Sequence, residues 1–174
     1  MPSKSKTKGN TFEREVSQFL STTFHESFIR VPTSGAFVGG KNNIRKALLG
    51  ENQLQSKKGD IHPPDDWKHW NAECKSYADF PFHHLVQGEV KILDKWIAQT
   101  MEVSDFYDLN IIFIKINRKG RWVVFEDCTK FNATSFINYK GWKFTSWEDF
   151  WSKQENIDLV KGYAQKSTKP TEPV

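Results

Sequence analysis

Cysteine is scarce in this chain: its 174 residues include only Cys74 and Cys128, and no C-x-x-C pair occurs. A zinc site of four cysteines is therefore excluded, and a disulfide-rich secreted scaffold is not expected. The sequence lacks any run of about 18 apolar residues, so it predicts no membrane-spanning helix. Residues 1–10 are polar and basic, which argues against a secretory signal peptide. We expect reduced thiols and a location in the cytoplasm of a bacterium, an archaeon or a phage-infected host.

Neither sign of charge dominates. The chain has 25 Lys and Arg against 21 Asp and Glu, a formal net charge of +4. This basic excess is compatible with a polyanionic partner without requiring one. Hydrophobic residues make up 37% and charged residues 26%, which argues against wholesale disorder. Aromatic residues reach 14%, and because such side chains dominate buried area they predict a substantial core.

One domain is predicted over residues 9–165, between a basic tail at residues 1–8 and a disordered tail at residues 166–174. The basic tail contains lysines and no acid, and it could be a solubilising terminus or an arm that contacts DNA. A helix is predicted to begin near Phe12, because apolar residues follow at helical spacing. These residues are Phe12, Val16, Phe19, Leu20 and Thr23.

Residues 33–59 differ from the rest of the chain in their many glycines and basic side chains. A short helix is predicted over residues 43–49, and the length of the whole connection suggests a functional or disordered segment. Its basic side chains could neutralise DNA phosphates, with a solvated surface loop as the alternative. The basic residues are Lys41, Arg45, Lys46, Lys57 and Lys58.

Alternating and apolar patterns predict the remaining elements. Strands are expected at residues 27–31, 60–62, 70–76, 110–116, 121–126 and 136–144, with a hairpin turn at residues 117–120. A helix is expected over residues 82–100, with Val86 on its apolar side. Ser146 should cap a last helix that ends near Lys153. The fold class is therefore α/β or α+β, with a small mixed sheet flanked by helices.

Glu73 and Lys75 are the first residues that suggest chemistry. Residues i and i+2 of a strand project from the same face, so these side chains should lie together while Cys74 points into the core. Asp60 stands at the head of an earlier extended piece, and a hairpin between the two pieces would bring it beside Glu73. The sequence therefore predicts two carboxylates and a lysine at one edge of the sheet.

Such a group has the composition of a magnesium site. Mg²⁺ prefers hard oxygen ligands, which Asp60, Glu73 and the main-chain carbonyl of Cys74 would supply. The ion would polarise a phosphate and acidify a bound water. Lys75 could orient or deprotonate that water, or stabilise charge on the phosphorane. The competing interpretation is a solvated, salt-bridging strand face, for which an E-x-K pattern is common.

Other side chains compete for these roles. Asp65 and Asp66 are rival carboxylates, although they follow two prolines and have the character of turn residues. Histidines could suggest zinc, but an adjacent pair on a helix points in different directions, so a structural or surface role is expected. The histidines in question are His62, His69, His83 and His84. Aromatic residues between Trp142 and Trp151 could stack on bases, but their spacing favours core packing.

Four segments resemble PD-(D/E)XK nucleases, in particular archaeal-type Holliday junction resolvases. Residues 8–15 (KGNTFERE) resemble their opening helix, and residues 30–35 (RVPTSG) resemble their next strand and its Ser/Gly-rich loop. Residues 59–61 (GDI) stand where they carry Pro-Asp-Ile or Gly-Asp-Ile, and residues 73–76 (ECKS) stand where they carry Glu-x-Lys-Ser. The segments occur in the family's order at compatible spacings.

The resemblance implies a restriction-endonuclease-like fold and a metal-dependent endonuclease acting on DNA, with Mg²⁺ as cofactor and Mn²⁺ able to replace it. Asp60 and Glu73 would be the main metal ligands. Glu13 would complete the metal site, and Lys75 would be the catalytic lysine. Branched DNA such as a Holliday junction, a homodimer and a role in DNA recombination are also implied.

Nine residues are then expected to contact DNA: Lys8, Arg14, Arg30, Ser34, Lys41, Arg45, Lys46, Lys57 and Lys58. Gln87 lies on the predicted long helix, where some nucleases of this superfamily place a glutamine near the site; a surface glutamine is the alternative. The long connection and the Trp-rich C-terminal part depart from the compact resolvases. Two other functions therefore stay open: a restriction-like or phage DNA-processing nuclease that cuts duplex DNA, and a non-catalytic DNA-binding module on a nuclease fold.

Overall fold

The computed structural model describes residues 4–32 and 58–166. Its helices are α1 (Lys4–Phe24), α2 (Phe82–Gln87), α3 (Lys91–Glu102), α4 (Trp147–Trp151) and α5 (Gln154–Lys166). Its strands are β1 (Ile29–Arg30), β2 (Ile61–His62), β3 (Trp70–Tyr77), β4 (Leu109–Ile116), β5 (Gly120–Glu126), β6 (Ile137–Tyr139) and β7 (Trp142–Ser146). The helix predicted at residues 43–49 and the predicted tail beyond Lys166 lie outside the described residues.

Five strands form the central sheet, in the order β3-β4-β5-β7-β6. β3 runs parallel to β4, and the other pairs are antiparallel. The short strands β1 and β2 pair with each other in a separate two-stranded sheet. This architecture confirms the predicted mixed sheet flanked by helices. It leaves β3 as an edge strand, and the outer side of β3 receives the segment that leads into β2.

Helices cover both faces of the sheet. Almost every residue of β4 is buried, so both faces of this strand need apolar partners. On one face, α1, α4 and α5 contribute to a core cluster that includes Phe113 of β4, with the α1 stripe formed by Phe12, Val16 and Leu20. On the other face, Leu93 and Trp96 of α3 share a cluster with Ile112 and Ile114 of β4. No helix in the described ranges has both the length and the apolarity needed to cross a membrane.

Two helix predictions are wrong at their boundaries. The first helix begins at Lys4 rather than near Phe12, because the preceding lysines are good helix formers and Gly9 alone does not interrupt it. The predicted single helix at residues 82–100 is two helices. Gly88 ends α2 with a φ of +75°, a left-handed conformation that glycine adopts without strain. Val86, expected on the apolar side, is 82% exposed as a result of this break.

The C-terminal part contains more elements than predicted. Residues 136–144 contribute to two strands, β6 and β7, because the chain turns back tightly at Lys140 and Gly141. Both turn residues have positive φ, 46° and 81°, which suits a hairpin turn. Ser146 caps α4 as predicted, and its hydroxyl accepts a hydrogen bond from the Asp149 amide at 3.2 Å. The helix ends at Trp151, and α5 follows as an element that the sequence patterns did not predict.

The tryptophans of this part are core residues, as their spacing predicted. Trp142, Trp147 and Trp151 are all less than 10% exposed. Asn156 holds α5 against α4 and against the segment before β6. Its side-chain amide donates to the carbonyls of Asn132 at 2.7 Å and Phe150 at 2.9 Å. The C-terminal elements therefore complete the core beneath α1.

Candidate active site

Asp60 is docked on the outer edge of β3. Its amide donates to the Ala72 carbonyl at 2.8 Å, and its Oδ2 accepts a hydrogen bond from the Cys74 amide at 2.7 Å. Gly59 makes this approach feasible. A Cβ there would lie 2.5 Å from the Ala72 carbonyl oxygen, and the φ of +67° also favours glycine. The Gly-Asp pair therefore places a carboxylate against a fixed position of the strand.

The Cys74 carbonyl faces the same edge. In a strand, the N–H and C=O of one residue point to the same side, and the Cys74 amide points outward to Asp60. The predicted main-chain oxygen is therefore oriented toward the Asp60 carboxylate. The Cys74 side chain is 8% exposed and belongs to the core, as the strand periodicity predicts.

Glu73 and Lys75 lie together, also as predicted. Lys75 Nζ is 2.9 Å from Glu73 Oε2, and the Glu73 residue is only 5% exposed. Lys75 Nζ also donates to Gln99 Oε1 of α3 at 3.1 Å. The lysine is thus held between a buried carboxylate and a helix, rather than extended into solvent.

The three acids and the lysine share one electrostatic environment. Burial, and then the charge of Asp60, raises the pKa of Glu73 to about 7, against the opposing effect of Lys75. Burial and the charge of Asp60 also raise the pKa of Glu13. Burial acts to lower the pKa of Lys75, but the adjacent Glu73 carboxylate outweighs it and the pKa is raised. Lys75 is therefore a cation at neutral pH.

Glu13 is joined to β1 by an ion pair with Arg30, whose Nε donates to the Glu13 carboxylate. Arg30 Nη2 donates to the Asn10 side-chain oxygen at 2.7 Å. The pair fixes the α1 carboxylate beside the group on β3. Arg30, predicted to contact DNA, is 22% exposed in its side chain and is already engaged with α1.

A divalent cation fits the chemistry of Asp60 and Glu73. No group of three or more His, Cys, Asp or Glu side chains within residues 4–32 and 58–166 is arranged as a metal cage. Besides burial, the charge of Asp60 raises the pKa of Glu73, so the two carboxylates repel each other. A divalent cation of hard-ligand preference can offset that repulsion, with the Cys74 carbonyl as a further donor. Asp60, Glu73 and the Cys74 carbonyl would hold such a cation.

The raised pKa of Glu73 predicts how the stability of the metal-free protein depends on pH. Its pKa is about 7 in the folded state and near 4.5 in the unfolded chain. The folded state therefore binds more protons between these values, so the stabilisation is complete below pH 4.5 and is lost as the pH rises through 7. Thermal unfolding in EDTA across this range should show a falling midpoint for the wild type relative to Glu73→Gln.

The Glu73→Gln variant is the matched control, because it keeps the side-chain shape and removes the titrating group. Addition of Mg²⁺ should stabilise the wild type most at high pH, since protons and cations compete for the same oxygens. A difference between wild type and variant that stays constant with pH would contradict the assignment.

Lys58, which was predicted to contact DNA, is buried in an ion pair. It is 4% exposed, and its Nζ lies 2.5 Å from Asp108 Oδ2 and 2.7 Å from Asp105 Oδ2. A buried lysine with two carboxylate partners is not available to a phosphate. The two acids are near Lys58 only in the folded chain, so the sequence alone did not indicate this burial. The ion pair instead anchors the residue that precedes Gly59 and Asp60.

Other candidates stay away from the carboxylate group. Asp65 and Asp66 are exposed, and Asp66 accepts a hydrogen bond from Gln165. Gln87 is exposed on α2, and Gln99 of α3 is the glutamine that contacts Lys75. Sequence reasoning missed Gln99 because the position of the helix break, which sets the rotation of α3, was not foreseen.

The remaining predicted DNA contacts are tested only in part. Arg14 is exposed on α1. The backbone of Lys8 lies in α1, and its side chain is outside the described part of the structure. The described residues also leave out Ser34, Lys41, Arg45, Lys46 and Lys57.

Comparison with known families now adds to this geometry. The sequence model of a family described as "Phage putative PDDEXK endonuclease" matches residues 4–169, which is almost the whole chain. Comparisons with curated proteins and with solved structures find no match. The matched range includes Glu13, Asp60, Glu73 and Lys75 and extends through the Trp-rich C-terminal elements. The chain therefore belongs to this family of phage PDDEXK endonucleases, within the PD-(D/E)XK nuclease superfamily.

Proposed function

We propose that this protein is a divalent-metal-dependent endonuclease that hydrolyses DNA phosphodiester bonds, with Mg²⁺ as its metal. The observation that carries the proposal is the placement of Asp60 and Glu73 at one strand edge beside Lys75. Two neighbouring buried carboxylates are unfavourable unless a proton or a cation lies with them. At neutral pH and cellular Mg²⁺, a cation satisfies both.

The residues have separable roles. A bound divalent cation would supply Lewis acidity to the scissile phosphate and to the attacking water. Lys75 is a cation held 2.9 Å from Glu73, so it suits stabilising negative charge on the pentacovalent phosphate and orienting the water. Gln99 limits the rotamers of Lys75 through its 3.1 Å contact.

Glu13 has a supporting role in this proposal. Arg30 already pairs with its carboxylate, so we propose that Glu13 acts on the metal site through water rather than as a direct ligand. Arg30 in turn presents positive charge beside the site. The two residues would orient the water and the phosphate without leaving α1 and β1.

The substrate we propose is branched DNA, such as a four-way junction, cut by a homodimer. The proposal rests on the resemblance of residues 8–15, 30–35, 59–61 and 73–76 to archaeal-type junction resolvases. A second copy of the site would be needed to cut two strands symmetrically. A phage nuclease that cuts linear duplex would use the same residues.

The test compares the wild type with Asp60→Asn on three labelled DNAs: a four-way junction, a flap and a linear duplex. Each is incubated in Mg²⁺, in Mn²⁺ and in EDTA. We expect the wild type to cut the junction in either metal, and we expect no product in EDTA or with the variant. Asn at position 60 can still accept a hydrogen bond from the Cys74 amide, so loss of cutting would report the lost charge rather than a lost fold.

Three other results would change the conclusion. Cutting of the duplex alone would keep the metal-dependent nuclease and reject the junction substrate. Equal cutting by wild type and variant would reject the site. Tight binding without cleavage in both metals would favour a DNA-binding module that uses a nuclease fold.

A further inference from the structure

Two cations face each other across the hairpin formed by β4 and β5. Lys115 and Arg121 are cross-strand partners in the antiparallel register, so their side chains project from the same face of the sheet. Like charges directly opposite in a sheet destabilise the pairing. Such a pair therefore needs negative charge close to it, from acidic side chains or from a bound anion.

Each of these cations has an acidic neighbour on a helix. Lys115 Nζ is 2.7 Å from Glu15 of α1, and both side chains are 40% exposed. Arg121 stacks over the Trp147 ring at 4.7 Å and lies 3.4 Å from Glu148. Ion pairs with this exposure contribute little, about 0–1 kcal/mol, so a phosphate can replace the carboxylate at small cost.

The turn of the same hairpin extends the positive charge. Arg118 is exposed at the turn, and Lys119 is half exposed and pairs with Asp79 at 2.6 Å. We call the set Lys115, Arg118, Lys119 and Arg121 the basic hairpin. These four cations lie at one end of the sheet, within the seven residues of the β4–β5 hairpin from 115 to 121.

The basic hairpin approaches the candidate active site along α1. Lys115 is in register with Ser76 of β3, so both side chains lie on the face of the sheet that α1 covers, opposite to the face of Glu73 and Lys75. Its Nζ also lies 5.8 Å from the centre of the Phe12 ring, and Phe12 precedes Glu13 on α1. The link between the basic hairpin and the candidate active site is therefore α1, which carries both Glu13 and the Glu15 that pairs with Lys115.

We propose that the basic hairpin binds the sugar-phosphate backbone of DNA on one side of the scissile phosphate. This inference rests on the proposed nuclease function and names a surface for its substrate. In the absence of DNA, Glu15 and Glu148 hold the cations in place. In the complex, DNA phosphates replace some of these carboxylates as partners of the cations. Such contacts are independent of base sequence.

The test measures binding rather than cutting. The full chain and its Lys115→Gln/Arg121→Gln double variant are titrated with a fluorescein-labelled linear duplex in EDTA, between about 50 mM and 200 mM salt. Each lost phosphate contact should lower the slope of log K against log salt by about 0.9. We expect the double variant to bind DNA more weakly than the wild type. Its slope of log K against log salt should fall by nearly the amount that two phosphate contacts contribute.

Lys161→Gln is the matched control. Lys161 is also ion-paired and is 43% exposed, but its partner Glu26 lies beyond the other end of α1. This variant should keep the wild-type slope. Glu15→Gln should tighten binding more than Glu26→Gln does, because only the first change frees a cation of the basic hairpin. Thermal unfolding of each variant confirms that the fold is intact.

The outcomes separate this inference from the proposed function. If the wild type cuts DNA in Mg²⁺ and the double variant keeps the wild-type slope, the proposed DNA-binding role of the basic hairpin is wrong. The proposed nuclease function is then retained. If the slope falls in the double variant but the wild type cuts no DNA in Mg²⁺ or Mn²⁺, the DNA-binding role of the basic hairpin is retained. The proposed nuclease function is then wrong. A loss of about half that amount of slope in Lys161→Gln, which removes one positive charge rather than two, would also overturn the proposed role of the hairpin, because net charge alone would then explain it.

Discussion

Replacement of Lys75 by methionine is expected to lower the rate of DNA cleavage by roughly 10²–10³-fold while DNA binding changes little. The lysine is a partly buried cation 2.9 Å from Glu73, where negative charge would develop on the phosphate. Methionine keeps the length of the side chain and removes the charge. Single-turnover cleavage at saturating protein measures the chemical step directly.

The variant should remain folded, which makes the result interpretable. Lys75 lowers the pKa of Glu73, so its removal raises that pKa further and leaves Glu73 as a neutral acid rather than as an unpaired buried charge. Lys161→Met is a suitable control for the loss of one exposed lysine. A Lys75→Met protein that cuts DNA at the wild-type rate would remove this residue from the proposed mechanism.

Replacement of Lys58 by methionine is expected to destabilise the protein by about 3–5 kcal/mol. Asp108 is 1% exposed, and the variant would leave its carboxylate buried without the lysine that lies 2.5 Å away. Asp105 contributes less, because its side chain is 61% exposed. Equilibrium denaturation in urea measures the free energy of unfolding.

The double variant Lys58→Met/Asp108→Asn tests the cause. If the loss comes from an uncompensated charge, neutralising Asp108 should recover much of the stability, and the two changes should be strongly non-additive. Asn keeps an oxygen that can accept the Asp105 amide hydrogen bond, which Asp108 Oδ2 now accepts at 2.7 Å. Additive losses would show that packing of the lysine stem, and not charge, holds Lys58 in place.

Local patterns were sufficient to predict the central strands and the chemical group. The alternation of β3 puts Glu73 and Lys75 on one face and Cys74 in the core, because side chains of a strand alternate. Residues 59–61 were recognisable from their resemblance to the Gly-Asp-Ile of the junction resolvases, and the structure explains the glycine by its close approach to Ala72. These features depend on neighbours in sequence, which a single sequence displays directly.

Features that depend on distant partners were not predictable. Lys58 has the appearance of a loop lysine until Asp108, fifty residues later, is brought against it. Gln99 reaches Lys75 only because Gly88 breaks the helix and sets the rotation of α3. The position of α5 is fixed by the hydrogen bonds of Asn156 and by apolar contacts with α1 and β4. These partners are distant in sequence, so no local pattern indicates them.

The burial of Cys74 makes the reactivity of its thiol a measure of local unfolding at the candidate active site. Its thiol lies in the core, on the face of β3 opposite to Glu73 and Lys75, and burial together with the charge of Asp60 raises its pKa well above the ordinary range. Because the thiolate is the form that alkylating reagents attack, this cysteine is protected as long as β3 stays packed. Its labelling therefore follows the local unfolding of the strand that carries Glu73 and Lys75. Cys128, which is partly exposed, serves as the internal reference.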